Sequence, residues 1–166
     1  MTARVLAEQA VASVFPDAMA RLAAGLAVVT TRDAEAPRGL LVSSLCSYSV
    51  APPSVLLTID RGSRSYRPLT EGAEFGVHLL ADTQAAVADR FARRGADKFA
   101  GLAWEWDDGV PRLRGVPVYL RCALAMVFAH GDHAVVIGEV AAARVGRGDP
   151  LVYFGRRYDW RLRGPA

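Results

Sequence analysis

Val118, Leu120, Cys122, Leu124, Met126 and Phe128 recur at every second position. Only an extended strand places such a series on one face, so one side of residues 118–128 is expected to be core. The run closes on His130-Gly131-Asp132-His133 and resumes over residues 134–145 as AVVIGEVAAARV. That second run is nearly continuous in apolar residues, as a strand buried on both sides would be. Gly and Asp in the link suit a hairpin turn. Two long strands folded back on each other commit the chain to an antiparallel sheet.

The rest of the sequence agrees with that frame. LAVVTT (26–31), GLLVSSLCSYSV (39–50) and SVLLTI (54–59) are β-prone runs separated by RDAEAPR and by Pro52-Pro53, which predicts a three-stranded meander. EFGVHLL (74–80) alternates Phe75, Val77 and Leu79 against Gly76, His78 and Leu80. Phe15, Ala18, Met19 and Leu22 stand at helical spacing between Pro16 and Gly25, so residues 15–24 are expected to form a helix whose apolar stripe lies on the sheet. TQAAVADRFARR (83–94) predicts a second helix with Thr83 as its N-cap, and PLVYFGRRYDWRL (150–162) one or two closing strands. No strand-helix-strand alternation occurs. The expected fold is mainly β: a closed antiparallel barrel with two or three peripheral helices, one domain over residues 15–166 behind an N-terminal extension of residues 1–14.

Composition excludes several function classes. Of 20 Lys+Arg against 17 Asp+Glu, Lys98 is the sole lysine, and the arginines are scattered without interleaved aromatics. Nucleic-acid binding is therefore not expected. No window reaches the roughly 18 apolar residues of a membrane span, and no export signal opens the chain, so neither membrane nor secretion is expected. Cys46 and Cys122 sit in separate apolar contexts and read as buried reduced thiols of a cytoplasmic protein.

Candidate chemistry gathers in a few places. No glycine-rich dinucleotide turn follows a strand and no Walker loop occurs, so a nucleotide would be held by another device. Ser43, Ser44, Ser47 and Ser49 lie along one strand, which could offer hydroxyls to a ligand or stand as a solvated edge. In DRGSRS (60–65), Gly62 with the two serines could form an anion-binding nest assisted by Arg61 or Arg64; the plainer reading is a polar turn capping the helix SYRPLTEG. His130 and His133 flank Asp132, but a tight turn without further ligands is a poor metal site, and none is expected. His78 reads as a packing histidine. Trp104, Trp106 and Trp160 either line a pocket or bury area.

Taken in order, FPDAMARLAAGLAVVTT, GLLVSSLCSYSVAPPSVLLTIDRGSRS, EFGVHLL, ADRFARRGADKFAGLAW, GVPRLRGVPVYLRCALAMVFAHGDHAVVIGEV and PLVYFGRRYDWRL resemble the flavin reductase family across about residues 15–162. The resemblance implies a split β-barrel that binds FMN or FAD, usually as a homodimer, and transfers hydride from NADH or NADPH to that flavin for a partner monooxygenase. It implies that the ring lies along Leu41, Val42, Ser43, Ser44 and Leu45 with Ser47, served by backbone N–H groups. It assigns the phosphate-ribityl end to Asp60, Ser63 and Ser65, with Phe91, Lys98 and Phe99 at the cofactor's far end and Tyr158 near the ring. Gly131, Asp132 and His133 match the turn that meets the nicotinamide, with His133 as the positioning group. Two rival readings stand beside it: a flavin carrier without turnover, and a pyridoxamine-phosphate-oxidase-like or deazaflavin-using barrel, which shares the architecture but is not expected to show Gly131-Asp132-His133 before the buried strand.

Overall fold

The computed structural model describes residues 3–95 and 97–162. In chain order the elements are α1 (Ala3–Met19), β1 (Ala24–Gly25), β2 (Ala27–Asp33), β3 (Ala36–Val42), β4 (Cys46–Val50), β5 (Pro53–Asp60), α2 (Tyr66–Glu71), β6 (Glu74–Leu79), α3 (Ala85–Ala92), β7 (Trp104–Asp107), β8 (Val110–Leu113), β9 (Val118–His130), β10 (His133–Val145), β11 (Val152–Phe154) and β12 (Arg157–Trp160). Among the described residues no helix is long and apolar enough to cross a membrane.

The central hairpin is β9–β10, joined by the two-residue loop Gly131-Asp132 with His130 opposite His133. Gly131 has φ +60° while Asp132 does not share the positive sign, the pattern of a type II′ turn, which needs glycine at its first position. The strand pairing then corrects the expected single face of residues 118–128. Ile137 pairs with Met126 but Gly138 pairs with Leu124, so Ala125 is an extra residue on β9. Such a bulge reverses the alternation. Cys122 is buried, Leu124 and Val127 pack on the core, and Met126 and Phe128 face outward at 59% and 62% exposure. β10 is likewise covered on one side only: Ala134, Val136 and Gly138 are buried, Val135 and Ile137 half-buried, and residues 143–145 exposed. Among the described residues, none covers Met126 and Phe128 on the outer face.

Seven strands form one sheet in the order β3-β2-β6-β9-β10-β5-β4, all pairs antiparallel. The expected meander is absent, because β3 and β4 occupy opposite edges, separated in sequence by Ser43, Ser44 and Leu45. Six inter-strand steps would hold the edges about 29 Å apart in a flat sheet, whereas the four Cα–Cα steps from Val42 to Cys46 span at most about 15 Å. The sheet must therefore roll until its edges meet. No ladder joins them, so the expected continuous closure is not present in the strand pairing. Residues 150–162 do not close it either: β11 and β12 pair with β1 in a separate three-stranded sheet.

Rolling encloses Val29, Leu57, Phe75, Val77, Cys122 and Val136. A second core, with Val28, Leu80, Phe91, Phe99 and Leu151, lies between the outer side of β2 and α3. Val28 and Val29 are both fully buried, so β2 is covered on both faces; each such side chain contributes about 1.5–3 kcal/mol relative to exposure.

Two helix expectations are corrected. α1 ends at Met19 with Pro16 inside it and runs unbroken past residue 14; Phe15, Met19 and Leu22 are 57%, 46% and 63% exposed, so the stripe does not lie on its own sheet. Its end is tied down by Gly155 N–H donating to Ala20 O at 2.7 Å and by Arg156 to Asp17 at 2.6 Å. At α3 the N-cap position belongs to Gln84, not Thr83, and carries no side-chain cap bond; Gln84 Oε1 instead accepts from Ala81 N–H at 2.9 Å. Cys46 is exposed on β4 rather than buried.

Two of the polar contacts that pin the β7–β8 hairpin to the sheet reach buried groups of β2 and β6. Thr30 Oγ1 donates to Pro111 O at 2.5 Å, and Leu113 N–H donates to His78 Nε2 at 3.0 Å. His78 Nδ1, 3.1 Å from Val28 O, must carry the ring proton, since a carbonyl only accepts. Both nitrogens are thus engaged in the neutral state, and burial pushes the pKa down to about 4. An unfolded chain protonates near pH 6.5, so this contribution is complete above that pH and lost as pH falls toward 4. We expect urea unfolding to show about 2 kcal/mol less stability at pH 5 than at pH 7 from this group. A His78→Gln variant should lack that part of the slope; an unchanged slope refutes the assignment.

Candidate active site

Where the rolled edges meet, a cavity of about 1180 Å³ opens between β3, the ends of β5 and β10, and the segment after α3. Its first wall is Leu41, Val42, Ser43 and Ser44. β3 pairs only with β2, and Ser43 to Leu45 belong to no ladder, so this wall presents edge backbone rather than paired strand. Ser44 secures it from one side chain: Thr58 N–H donates to Ser44 Oγ at 3.0 Å and the hydroxyl donates to Thr58 O at 3.2 Å. That hydroxyl therefore bridges to β5 and leaves recognition to the neighbouring backbone. Leu45 and Ser47 fall outside the cavity, the first packed on the core and the second exposed on β4.

The second wall is the loop from Asp60 to Ser65. Asp60 Oδ1 accepts from Gly62 N–H at 2.7 Å, and Ser63 Oγ from Ser65 N–H at 3.2 Å, so these two side chains hold the loop in shape. Ser65 occupies the N-cap position of α2 without a side-chain cap bond, which removes the plainer helix-capping role expected for it; it lines the cavity with Asp60, Ser63 and Arg64.

Phe91 and Phe99 form the floor. A side chain at Gly39 would place its Cβ 2.6 Å from Phe91 Cε1, so only glycine lets β3 sit this close to α3. Phe91, Phe99, Trp104 and Trp106 continue edge-to-face with centroids 5.2–5.3 Å apart, and Trp104 but not Trp106 reaches the cavity. Lys98 Nζ donates to Phe91 O at 2.8 Å and to Gly39 O at 3.1 Å, stitching α3 to β3. Its pKa is lowered by burial and then by Arg64. Arg93 and Arg94 line the same end, two cations that the sequence reading did not single out although RFARRGADKF displays them.

His133 completes the cavity from the tip of β10, its side chain 51% exposed. Its Nδ1 lies 2.8 Å from Asp132 Oδ1. The carboxylate only accepts, so Nδ1 carries the proton and Nε2 is left for another partner. The imidazole in turn holds the Asp132 carboxyl below its usual range. Gly131 and Asp132 are exposed in the turn and do not line the cavity. Tyr158 is also outside it: its hydroxyl bonds Asp89 on α3 and its ring packs on the second core. Among the described residues no three His, Cys, Asp or Glu side chains converge as metal ligands.

Comparison with known proteins bears on what this arrangement does. The family described as "Flavin reductase like domain" matches residues 19–161. An NADH:riboflavin 5'-phosphate oxidoreductase from Streptomyces pristinaespiralis is 40% identical over 150 residues, covering 87% of this chain and 85% of that protein. The reductase component of 4-hydroxyphenylacetate 3-monooxygenase from Thermus thermophilus is 39% identical, covering 87% and 93%. Among solved structures, the Streptomyces globisporus NADH:FAD oxidoreductase in complex with NAD and FAD fragments superposes with TM-score 0.84 at 28% identity, covering 91% and 92%.

The Ser44 bridge makes a prediction that needs no ligand. Ser44→Ala loses both bonds to Thr58 and leaves that backbone pair unmatched, so unfolding free energy should fall by about 2 kcal/mol. Denaturant titration measures it, and a change under about 0.5 kcal/mol would show that the seam is held elsewhere.

Proposed function

Because this chain belongs to the flavin reductase family, we propose that it is an NAD(P)H:flavin oxidoreductase that reduces FMN or FAD and passes the reduced flavin to a partner monooxygenase. One observation carries the reading. A single cavity brings together an edge of unladdered backbone, a hydroxyl-and-cation loop and a half-exposed imidazole. These three needs differ chemically, and a planar ring with a phosphate tail and a nicotinamide neighbour meets all of them.

The residues present fit a flavin. Bound there, it would accept hydride from nicotinamide C4 at its own N5. Backbone N–H groups along Leu41 to Ser44 would hold the ring's polar edge, and preorganised donors of this kind stabilise charge that develops during transfer. Ser63, Ser65 and Arg64 would take the phosphate, with Arg93 and Arg94 beyond them. Phe91 and Phe99 exclude water from below. Lys98 acts by fixing β3 on α3, and an anion beside it would relieve its repulsion with Arg64. His133 would position the nicotinamide through Nε2, its ring oriented by Asp132. No general base is required, since the reacting carbon and nitrogen need only be held about 3–3.5 Å apart.

We further read the rolled sheet as a split barrel closed at the Ser44 bridge, and the protein as a cytoplasmic homodimer whose Cys46 and Cys122 stay reduced. Met126, Ile137, Leu56 and Cys46 form one cross-strand row on the outer face, with Phe128 and Val135 beside it. A second copy would cover this apolar surface, which the described residues leave open, and the exposed stripe of α1 gives the copy a further contact.

Two measurements test these readings. Mixing protein, NADH and free FMN or FAD should give flavin-dependent loss of absorbance near ~340 nm; His133→Ala should raise KM for NAD(P)H by about tenfold or more while flavin Kd changes little. Equal loss of both affinities would overturn the role given to the imidazole. In light scattering, Phe128→Glu should convert a particle of two chains to one; a monomeric parent rules out the dimer.

A further inference from the structure

The two arginines that flank Gly62 have different partners. Arg64 lines the cavity. Arg61 turns the other way: its guanidinium Nη1 donates to Gly131 O at 3.0 Å, and its backbone N–H donates to Asp132 O at 2.9 Å. We propose that Arg61 is a positioning residue that locks the turn carrying His133 to the Asp60–Ser65 loop, so that the nicotinamide side of the site is set by the flavin-phosphate side. This inference rests on the reading of His133 given above.

The argument follows the covalent path. Asp60 pairs with His133 in the ladder, so β5 delivers Arg61 beside the start of β10. Beyond that pair the turn consists of two exposed residues, and the Gly131 carbonyl has no ladder partner of its own. Engaging that carbonyl fixes the peptide plane between Gly131 and Asp132. Asp132 then holds His133 Nδ1 at 2.8 Å. A charged donor, one peptide plane, one carboxylate and the imidazole thus form a continuous series. At the other end, Asp60 fixes Gly62 and Ser63 through its side-chain and backbone oxygens at 2.7 and 2.9 Å, so Arg61 is built into the same loop that presents Ser63 and Ser65. Any displacement of that loop moves the imidazole with it.

The test uses Arg61→Ala, Arg61→Lys, His133→Ala and the double variant, with flavin Kd from fluorescence quenching and steady-state KM and kcat for NADH. Arg61→Ala should raise KM for NADH about three- to tenfold and move flavin Kd less than about twofold. Arg61→Lys, which keeps one cationic donor, should recover most of the loss. In the His133→Ala background, Arg61→Ala should add nothing further, because its effect passes through that ring. A tenfold loss of flavin affinity would make Arg61 a phosphate ligand and overturn the proposal. So would an undiminished KM effect in the His133→Ala background. A normal His133→Ala effect beside an inert Arg61→Ala refutes this inference alone, whereas His133→Ala with unaltered KM removes the reading beneath it as well.

Discussion

Three residues have to connect the two edges of a seven-stranded sheet. Ser43, Ser44 and Leu45 are too short a link for any flat arrangement, so the sheet rolls, and the fold's interior core follows from that closure. The same constraint creates the cavity. A link this short cannot also add paired residues to both edges, and the segment crosses the seam outside every ladder. Exposed edge backbone is ordinarily a hazard for a β-protein. Here it lies in a recess floored by Phe91 and Phe99, and the Ser44 hydroxyl ties it to the backbone of Thr58.

Charge in the recess is arranged by the same economy of partners. Asp60 and Asp97 both line it, which would ordinarily repel an anion. Each is engaged by backbone amides: Asp60 Oδ1 by Gly62, and Asp97 Oδ1 by Phe99 and Ala100 at 3.0 and 3.3 Å. These bonds use the carboxylates to shape their loops, and the two are outnumbered by the cations around them. Arg64, Arg93, Arg94 and Lys98 face the same end, which leaves it electropositive despite the near-balanced chain.

Periodicity made the strands legible, and the motifs carried the family, but neither determines who pairs with whom. The alternation from Val118 to Phe128 is real in sequence and broken in space, because a bulge at Ala125 is decided by the partner strand. Likewise the stripe Phe15, Met19, Leu22 reveals an apolar face without saying which molecule covers it. Lys98 and Ser44 were recognisable as residues of the site, yet their partners are backbone atoms 59 and 14 positions away, an arrangement set by tertiary approach. The β7–β8 hairpin had a local signal, Asp108-Gly109, both with positive φ, and could have been read from that pair. Tyr158 shows the opposite limit: a matching aromatic in the motif whose hydroxyl is held by Asp89 outside the recess.

The two histidines on inward-reaching strands show how burial and partner count separate structure from chemistry. His78 is fully buried with a backbone group on each ring nitrogen, so protonation would break a contact and the ring is held neutral. A group so completely satisfied has nothing left to offer a substrate. His133 has one nitrogen on a carboxylate and stands half in solvent, which fixes its orientation and leaves the other nitrogen open toward the recess. Identical side chains thus diverge because one closes a gap between layers while the other ends a hairpin. The second stands at a tip held by Arg61 rather than inside the sheet, so its ring stays half-exposed without disturbing the core.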